Sequence, residues 1–155
     1  MTEIMLNLLL YATIAVAVAF NKFEIFTEDL AEKVHDLNAD VIKAYLSNAA
    51  PSASLDAVKA DLAEISGGNG YTAGGHDTQN VTSRTGGTTS VVGTDIVITA
   101  SGGTVNPFQY VPIYNDTPTA PADPLIGWWD YAAGLTLQIG ESFTIDFGAS
   151  MFTIA

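Results

Sequence analysis

The sequence predicts a mainly β fold, an antiparallel β-sandwich preceded by an N-terminal amphipathic α-helix. From Val91 to Ala155, nearly every segment is a short β-type run bounded by Gly, Pro, Asn or Asp. This spacing is typical of antiparallel sandwiches and barrels. Before that region, apolar residues recur at spacings of three and four from Phe23 to Leu37, which predicts one helix with a single apolar face.

The chain is expected to form one domain, residues 19–155, behind an apolar N-terminal extension, residues 1–18. Residues 41–48 alternate like a half-buried strand, and residues 49–64 predict one or two helical turns. Gly140-Glu141 predicts a tight turn between two strands. Pro112 has no backbone N–H to donate, so its strand is predicted to lie at a sheet edge or to be bulged there.

The charge balance excludes several partners. The 155 residues include 17 acidic and 5 basic side chains, a net charge of −12, and the basic residues are scattered singly along the chain. Nucleic-acid binding needs clustered Lys and Arg, so no nucleic-acid partner is expected, nor is docking on an anionic membrane. With 14% charged and 48% hydrophobic residues, the surface is expected to contact other proteins.

The glycine-rich stretch GGNGYTAGGHD, residues 67–77, resembles a phosphate-binding loop only in composition. The G-x-G-x-x-G pattern fails by one position, and no Lys follows as a G-x-x-x-x-G-K-[ST] loop requires. No cofactor is therefore predicted. We interpret the stretch as a connector into the β region, in which Tyr71 is a loop-anchoring residue that holds the loop against the sheet.

No arrangement of residues predicts catalysis or a metal site. The histidines are His35 and His76, no G-x-S-x-G nucleophile motif occurs, and cysteine is absent. Carboxylates at strand ends are more often solvent-facing than paired in a glycosidase cleft. Oxygen donors bracket one loop but lack the spacing of a calcium motif; they are Asn115, Asp116, Asp123 and Asp130. We therefore expect no catalytic, cofactor-binding or metal-ligating residues, and no enzyme.

The adjacent pair Trp128-Trp129 is the strongest aromatic signal. Successive side chains of a strand point to opposite faces, so one ring is expected to anchor the core and the other to be partly exposed. The exposed ring is a candidate contact residue, for a sugar or for another subunit.

Five segments in order resemble one family of proteins: NKFEIFTEDLAEKVHDL, ADLAEISGGNGYTAGG, NPFQYVPIYNDT, DPLIGWWDY and GESFTIDF. The family consists of small tailed-bacteriophage proteins encoded among virion structural genes. The resemblance covers residues 19–155, with an interruption in HDTQNVTSRTGGTTSVV. Family members begin with Met followed by an AFNKF-like run. Since Val18 stands where that Met would be, the resemblance implies that the functional protein starts at Val18 and that residues 1–17 are an over-extended gene start.

Two other interpretations of the N-terminus remain open. Ile4 to Phe20 form an uncharged run of 17 residues, at the short end of the range for a membrane span. A membrane anchor would have only Lys22 beside it, and a signal peptide would lack its usual basic residues before the run. If residues 1–17 belong to the protein, they act as an assembly arm or an anchor.

The resemblance implies a non-enzymatic virion structural protein, in the first place a capsid decoration or cement protein. Its expected partners are the major capsid protein or other virion proteins, it is expected to form a homo-oligomer, and its location is the virion. One alternative is a tail or adhesin module that contacts host glycans through exposed aromatic rings. The other is a secreted or membrane-anchored surface protein, which follows if residues 1–20 are a real anchor.

Overall fold

The computed structural model of the protein describes residues 18–155. It contains ten strands, one seven-residue α-helix and a 3₁₀ turn at Lys59–Asp61. In chain order the elements are β1 Phe20–Lys22, α1 Ile25–Ala31, β2 Ile42–Ala44, β3 His76–Asp77, β4 Val81–Thr85, β5 Thr88–Val92, β6 Ile96–Thr99, β7 Val105–Asn115, β8 Leu125–Leu137, β9 Ser142–Ile145 and β10 Phe152–Ile154. The interpretations of residues 1–17 lie outside the described residues.

The strands form three antiparallel sheets. A five-stranded sheet has the order β1-β8-β7-β2-β3, a three-stranded sheet the order β10-β5-β4, and β6 pairs with β9. Buried residues of all three sheets belong to one hydrophobic cluster, which includes Val111, Trp129, Val91, Ile98 and Phe143. The two smaller sheets therefore pack against one face of the large sheet and form a second layer. The predicted mainly β, antiparallel sandwich is confirmed.

The opposite face of the large sheet carries a smaller cluster of Phe23, Tyr45, Leu62, Tyr114 and Leu125. A bulge in β8 accounts for how Leu125 reaches this face. Because Tyr114 pairs with Leu125 and the preceding Ile113 pairs with Gly127, Ile126 is left as an extra residue that enters the main cluster. The bulge thus accompanies the placement of two successive apolar side chains, Leu125 and Ile126, on opposite faces of the sheet.

The helix prediction was wrong in extent and in position. α1 spans only Ile25–Ala31, and β1 precedes it. The helix ends because Lys33 adopts a left-handed conformation with φ of 66°. The five residues expected on one stripe do not share a face, since Phe23 joins the smaller cluster whereas Phe26 joins the main one. Tertiary packing on both faces of the sheet overrides the helical spacing.

The prediction for Pro112 was also wrong. β7 lies between β8 and β2, and Pro112 pairs in register with Trp128, away from the register shifts of that ladder. The backbone hydrogen bond that Pro112 cannot donate is instead one that would go to the β2 side. Tyr45 N donates to Pro112 O at 3.0 Å, but Pro112 has no N–H to return the bond. Pro112 therefore lies opposite the end of β2, which stops at Ala44, and does not mark a sheet edge.

Other local predictions agree with the structure. β2 lies within residues 41–48, and Ser47 extends the pairing through a bridge to Tyr110. Glu141 N donates to Gln138 O at 2.9 Å across the expected turn, in which Gly140 has φ of 88°. That turn joins β8 to β9, which then pairs with β6.

Candidate contact surface

The outer face of the three-stranded sheet carries no charged residue. The register pairs Val81 with Val92 and Ser83 with Ser90, while the intervening Val91 is fully buried against the core. Side chains alternate between faces along a strand, so the outward positions follow directly. They are Val81, Ser83, Thr85, Thr88, Ser90, Val92 and Thr153. This set is small, β-branched or hydroxylic, and uncharged.

The second sheet of this layer has the same character. Val97 pairs with Thr144 and Thr99 with Ser142, and these four side chains lie opposite the inward-facing Ile98 and its neighbours. The Thr99 and Ser142 hydroxyl oxygens are 2.7 Å apart and share a hydrogen bond. Val97 is 60% exposed although it is apolar. We refer to these two outer faces together as the uncharged faces.

Acidic side chains near the uncharged faces accept hydrogen bonds from backbone N–H groups of other residues in this layer. Asp95 Oδ1 accepts a hydrogen bond from Phe147 N at 2.9 Å, and Asp146 Oδ1 accepts one from Gly148 N at 2.8 Å. Glu141 Oε2 accepts one from Gln138 N at 2.7 Å. These carboxylates stabilise turns at the ends of the strands. The strand surfaces between them are left free of charge.

The free edge of β4 is partly covered. Thr82 donates to Asn38 Oδ1 both from its backbone N, at 3.0 Å, and from its hydroxyl, at 3.1 Å. Arg84 Nη1 donates to Gly86 O at 2.7 Å and lies on the opposite side of the sheet from Ser83. Since an edge amide is already occupied, extension of this sheet by another strand is disfavoured. A partner would contact this layer through its faces.

The glycine-rich stretch forms a turn that is tied to the sheet through Tyr71. Gly68 and Tyr71 exchange backbone hydrogen bonds, and the Tyr71 hydroxyl accepts one from Leu46 N at 3.0 Å. The same hydroxyl donates to Glu64 Oε1 at 2.6 Å, and Gly74 N donates to that oxygen as well. Burial and this carboxylate raise the pKa of Tyr71. The ring is 3% exposed, so Tyr71 lies in the interior.

Glu64 links this turn to the smaller cluster. Its Oε2 pairs with Lys59 Nζ at 2.7 Å, and that ammonium lies over the rings of Tyr45 and Tyr114 at 5.0 and 5.5 Å. The Tyr114 hydroxyl donates to Gly74 O at 2.7 Å. The arrangement is a satisfied ion pair between two tyrosines, which fastens the connector to the sheet.

The two tryptophans occupy opposite faces of β8. Trp129 is 7% exposed and lies in the main cluster, with its ring centroid 5.2 Å from that of Phe20. Trp128 is partly buried, and its ring packs against Phe23 with centroids 4.5 Å apart. Both rings therefore contact other aromatic side chains, and only Trp128 keeps some exposure to solvent.

A buried polar group lies where the loop after α1 meets the end of β7, and the sequence did not single it out as a unit. Thr117 N donates to Asn115 Oδ1, which fixes the amide so that Asn115 Nδ2 donates to His35 Nδ1 at 3.1 Å and to Asp40 Oδ2 at 2.7 Å. The proton of the neutral imidazole is then on Nε2, which faces Asp29 Oδ2 at 3.9 Å.

Neither facing atom of that pair has a hydrogen-bond partner. Burial lowers the pKa of His35 to about 4, against an opposing effect of the Asp40 carboxylate. Burial also raises the pKa of Asp29, as does repulsion from Glu28 and Glu32. His35 is therefore a neutral interior side chain at pH 7. Its position after the end of α1 explains why helical spacing does not reveal this group.

Two of the oxygen donors considered from the sequence, Asp116 and Asp130, have separate partners. Asp116 pairs with Lys43 at 2.7 Å, and Asp130 Oδ1 accepts hydrogen bonds from Gln109 and Ala132. His76 lies in β3, where burial lowers its pKa. Within residues 18–155, no three His, Cys, Asp or Glu side chains are arranged to hold a metal ion.

Two open clefts, of about 310 and 510 Å³, border the loop that follows α1. Lys33 and Asp36 line both, together with threonines of neighbouring loops and strands. Of the buried polar group described above, Asp40 lines the smaller cleft and His35 lines the larger one, and the His35 ring is inaccessible at 0% side-chain exposure. The clefts thus do not form an enclosed ligand site.

Among residues 18–155, no helix has the length and apolar character needed to cross a membrane. Comparison with models of protein families, with curated protein sequences and with solved structures finds no significant match.

Proposed function

We propose that the protein is a non-enzymatic structural component of a tailed-bacteriophage virion that decorates or cements the capsid shell. The observation that supports this best is the pair of uncharged faces on a chain of net charge −12. Removing charged groups from water is costly, so an uncharged surface is where contact with another protein needs least compensation. The partner is the major capsid protein or another shell protein.

Attachment in this proposal occurs through faces that carry hydroxyl and small apolar side chains. Each such contact is weak, and identical sites repeated over a shell, together with self-association of the protein, sum weak contacts into firm binding. The acidic remainder of the surface favours the outside of the particle, because packaged DNA would repel it. The sequence resemblance to virion structural proteins supports the same location.

The glycan-binding alternative receives less support from the aromatic residues. A sugar-stacking platform requires an accessible ring face, whereas Trp128 packs on Phe23 and Trp129 is buried. The uncharged faces carry no aromatic side chain. Decoration of a protein shell is therefore the better match to the surface.

Quantitative electrophoresis of purified particles tests this proposal. A decoration protein is expected in tens to hundreds of copies per particle, in fixed ratio to the major capsid protein. A count of about three to twelve would place it in a tail or neck ring of low cyclic symmetry and contradict decoration. Absence from the particle would overturn the virion assignment altogether.

A further inference from the structure

The loop that follows α1, residues 32–41, is joined to the end of β7 through an imidazole and an amide. Asn115, the last residue of β7, donates from Nδ2 to His35 Nδ1 at 3.1 Å and to Asp40 Oδ2 at 2.7 Å. The amide cannot turn round, because its Oδ1 already accepts a hydrogen bond from Thr117 N at 3.1 Å. The direction of the hydrogen bond between Asn115 and His35 is therefore fixed.

Protonation of this imidazole conflicts with that hydrogen bond. The neutral ring carries its proton on Nε2, so a second proton can bind only at Nδ1, the atom that accepts from Asn115. Two N–H donors would then face each other inside the protein. A buried donor without an acceptor is unfavourable, so His35 and Asn115 must move apart when the ring becomes charged.

An acceptor without a partner lies on the other side of the ring. His35 Nε2 faces Asp29 Oδ2 of α1 at 3.9 Å, and neither atom has a hydrogen-bond partner. A charge-assisted hydrogen bond from nitrogen to a carboxylate oxygen is about 2.8 Å long, so a movement of about 1 Å toward α1 closes the gap. The same movement lengthens the contact between His35 Nδ1 and Asn115.

Charged groups on several elements surround the ring. Burial opposes the charged form of His35, and the Asp40 carboxylate favours it. Within residues 18–155, Asp29 is the only carboxylate at ion-pair distance from the ring. The second layer contributes Thr82 and Thr89 to the cleft that His35 lines, and neither side chain titrates. The charged groups on the surrounding elements are Glu28, Asp29 and Glu32 on α1, Lys33, Asp36 and Asp40 in the loop, Asp116 with its partner Lys43 beside the ends of β7 and β2, and Arg84 opposite Thr89.

The loop has room for a small displacement. It starts with Lys33 in a left-handed conformation, which separates it from the regular turns of α1. Two open clefts border it, with Asp40 in the wall of the smaller and His35 in the wall of the larger. Because the clefts are filled by solvent and not by packed side chains, moving the loop disturbs little of the close-packed interior.

We propose that this group is a pH-dependent conformational switch. In the neutral state His35 holds the loop to Asn115, and in the protonated state the imidazolium moves to Asp29 and the loop separates from the end of β7. The ion pair formed at the shorter distance stabilises both charged forms. The two layers of the sandwich stay folded, since their strand ladders do not include the His35 side chain.

Nuclear magnetic resonance of the unsubstituted full chain, from about pH 7 to about pH 4, tests the switch. Corrected for the intrinsic exchange rate, the Asn115 side-chain amide protons should lose protection on the order of 10-fold or more as the His35 ring titrates. Backbone amides of the ladder between β7 and β8 should keep their protection. Titration of the ring with unchanged protection at Asn115 would overturn the proposal, and so would an equal loss in the ladder, because that result indicates general unfolding.

A matched pair of variants tests the second partner of the ring. Asp29→Asn removes the carboxylate that faces His35, whereas Glu28→Gln removes an exposed carboxylate of the same helix. We expect the midpoint of the His35 titration to fall by about one pH unit in the first variant and by much less in the second. An unchanged midpoint in Asp29→Asn, or equal shifts in the two variants, would show that Asp29 is not the acceptor and would overturn the proposal.

Discussion

The second layer contains almost no charged side chains on its strands, whereas the segment from α1 to β2 is rich in carboxylates. The five strands of the second layer contain one charged residue, Arg84, and the carboxylates in their turns are bound by backbone amides. The segment spanning residues 24–41 carries six carboxylates and encloses a buried imidazole. The carboxylates are Glu24, Glu28, Asp29, Glu32, Asp36 and Asp40.

In the proposed function, this difference assigns separate tasks to the two regions. The charged α1 segment stays in contact with water, while the second layer presents uncharged surfaces whose contact with a protein requires little desolvation of charge. The unfavourable burial of polar groups lies in the α1 segment, where Asp29 and His35 are buried without a hydrogen bond between them. We therefore expect pH to act mainly on the α1 segment and surface substitutions to act mainly on binding by the second layer.

The largest expected effect is a loss of stability on acidification. His35 has a folded pKa of about 4 against 6.5 ordinarily, so the unfolded chain binds its proton first as pH falls. Its contribution is intact above pH 6.5 and is lost between pH 6.5 and 4, by about 3 kcal/mol in total. Asp29, whose folded pKa is raised, acts in the opposite direction and recovers part of this loss near the acidic end. Denaturant unfolding at a series of pH values measures the slope.

His35→Gln isolates the source of that slope. The variant keeps a polar side chain beside Asn115 but removes the titrating ring, so its stability should be nearly flat from pH 6.5 to pH 4.5. His76→Gln is the matched control, because His76 is a less buried histidine that lies in β3, and this variant should retain most of the slope. An unchanged slope in His35→Gln would refute the assignment.

An intermediate effect is expected where the α1 segment is fastened to the sandwich. Asn80 Oδ1 accepts from Ile42 N at 3.0 Å, and its Nδ2 donates to the carbonyl oxygens of Leu37 and Asp40. Asn80→Ala leaves a buried amide unpaired and should cost about 2 kcal/mol. Asn38→Ala removes exposed hydrogen bonds to Thr82 and should cost about 0.5–1 kcal/mol. If thermal unfolding shows similar losses of unfolding free energy for the two variants, Asn80 contributes no more than Asn38 to holding the α1 segment on the sandwich.

The sequence predicts the sandwich well because its strands depend on local patterns. Alternation in VVGTDIVITA and SFTIDF reflects one buried and one exposed face, and this information is present in each segment alone. The helix was overestimated because Phe23 and Phe26 satisfy helical spacing while packing on opposite faces of the sheet. The position of Pro112 was predicted wrongly because a proline within a sheet is tolerated where the neighbouring strand ends beside it. β2 ends beside Pro112, and local sequence does not reveal this.

The candidate surface was less accessible to prediction than the fold. The opposite-face geometry of Trp128 and Trp129 follows from strand alternation, whereas the uncharged faces appear only when β10 is known to pair with β5 and β6 with β9. Likewise, His35, Asp40 and Asn115 are separated by up to 80 residues and meet through tertiary packing. Long-range pairing is the information that local residue patterns lack.

The smallest expected effect on stability comes from single charges on the uncharged faces, and it is the one that bears on binding. Ser83→Glu and Val97→Glu place a carboxylate on each face, and Leu55→Glu adds the same charge at a site that is 80% exposed and outside both faces. All three should change unfolding free energy by no more than about 0.5 kcal/mol, as surface substitutions usually do.

Occupancy on particles should fall for Ser83→Glu and Val97→Glu, because a carboxylate must be desolvated at each repeated contact. Purified particles lacking the protein, incubated with each variant and analysed by quantitative electrophoresis, give the occupancy. An equal fall for Leu55→Glu would indicate that net charge governs attachment, and full occupancy by all three would show that shell contact uses a different surface.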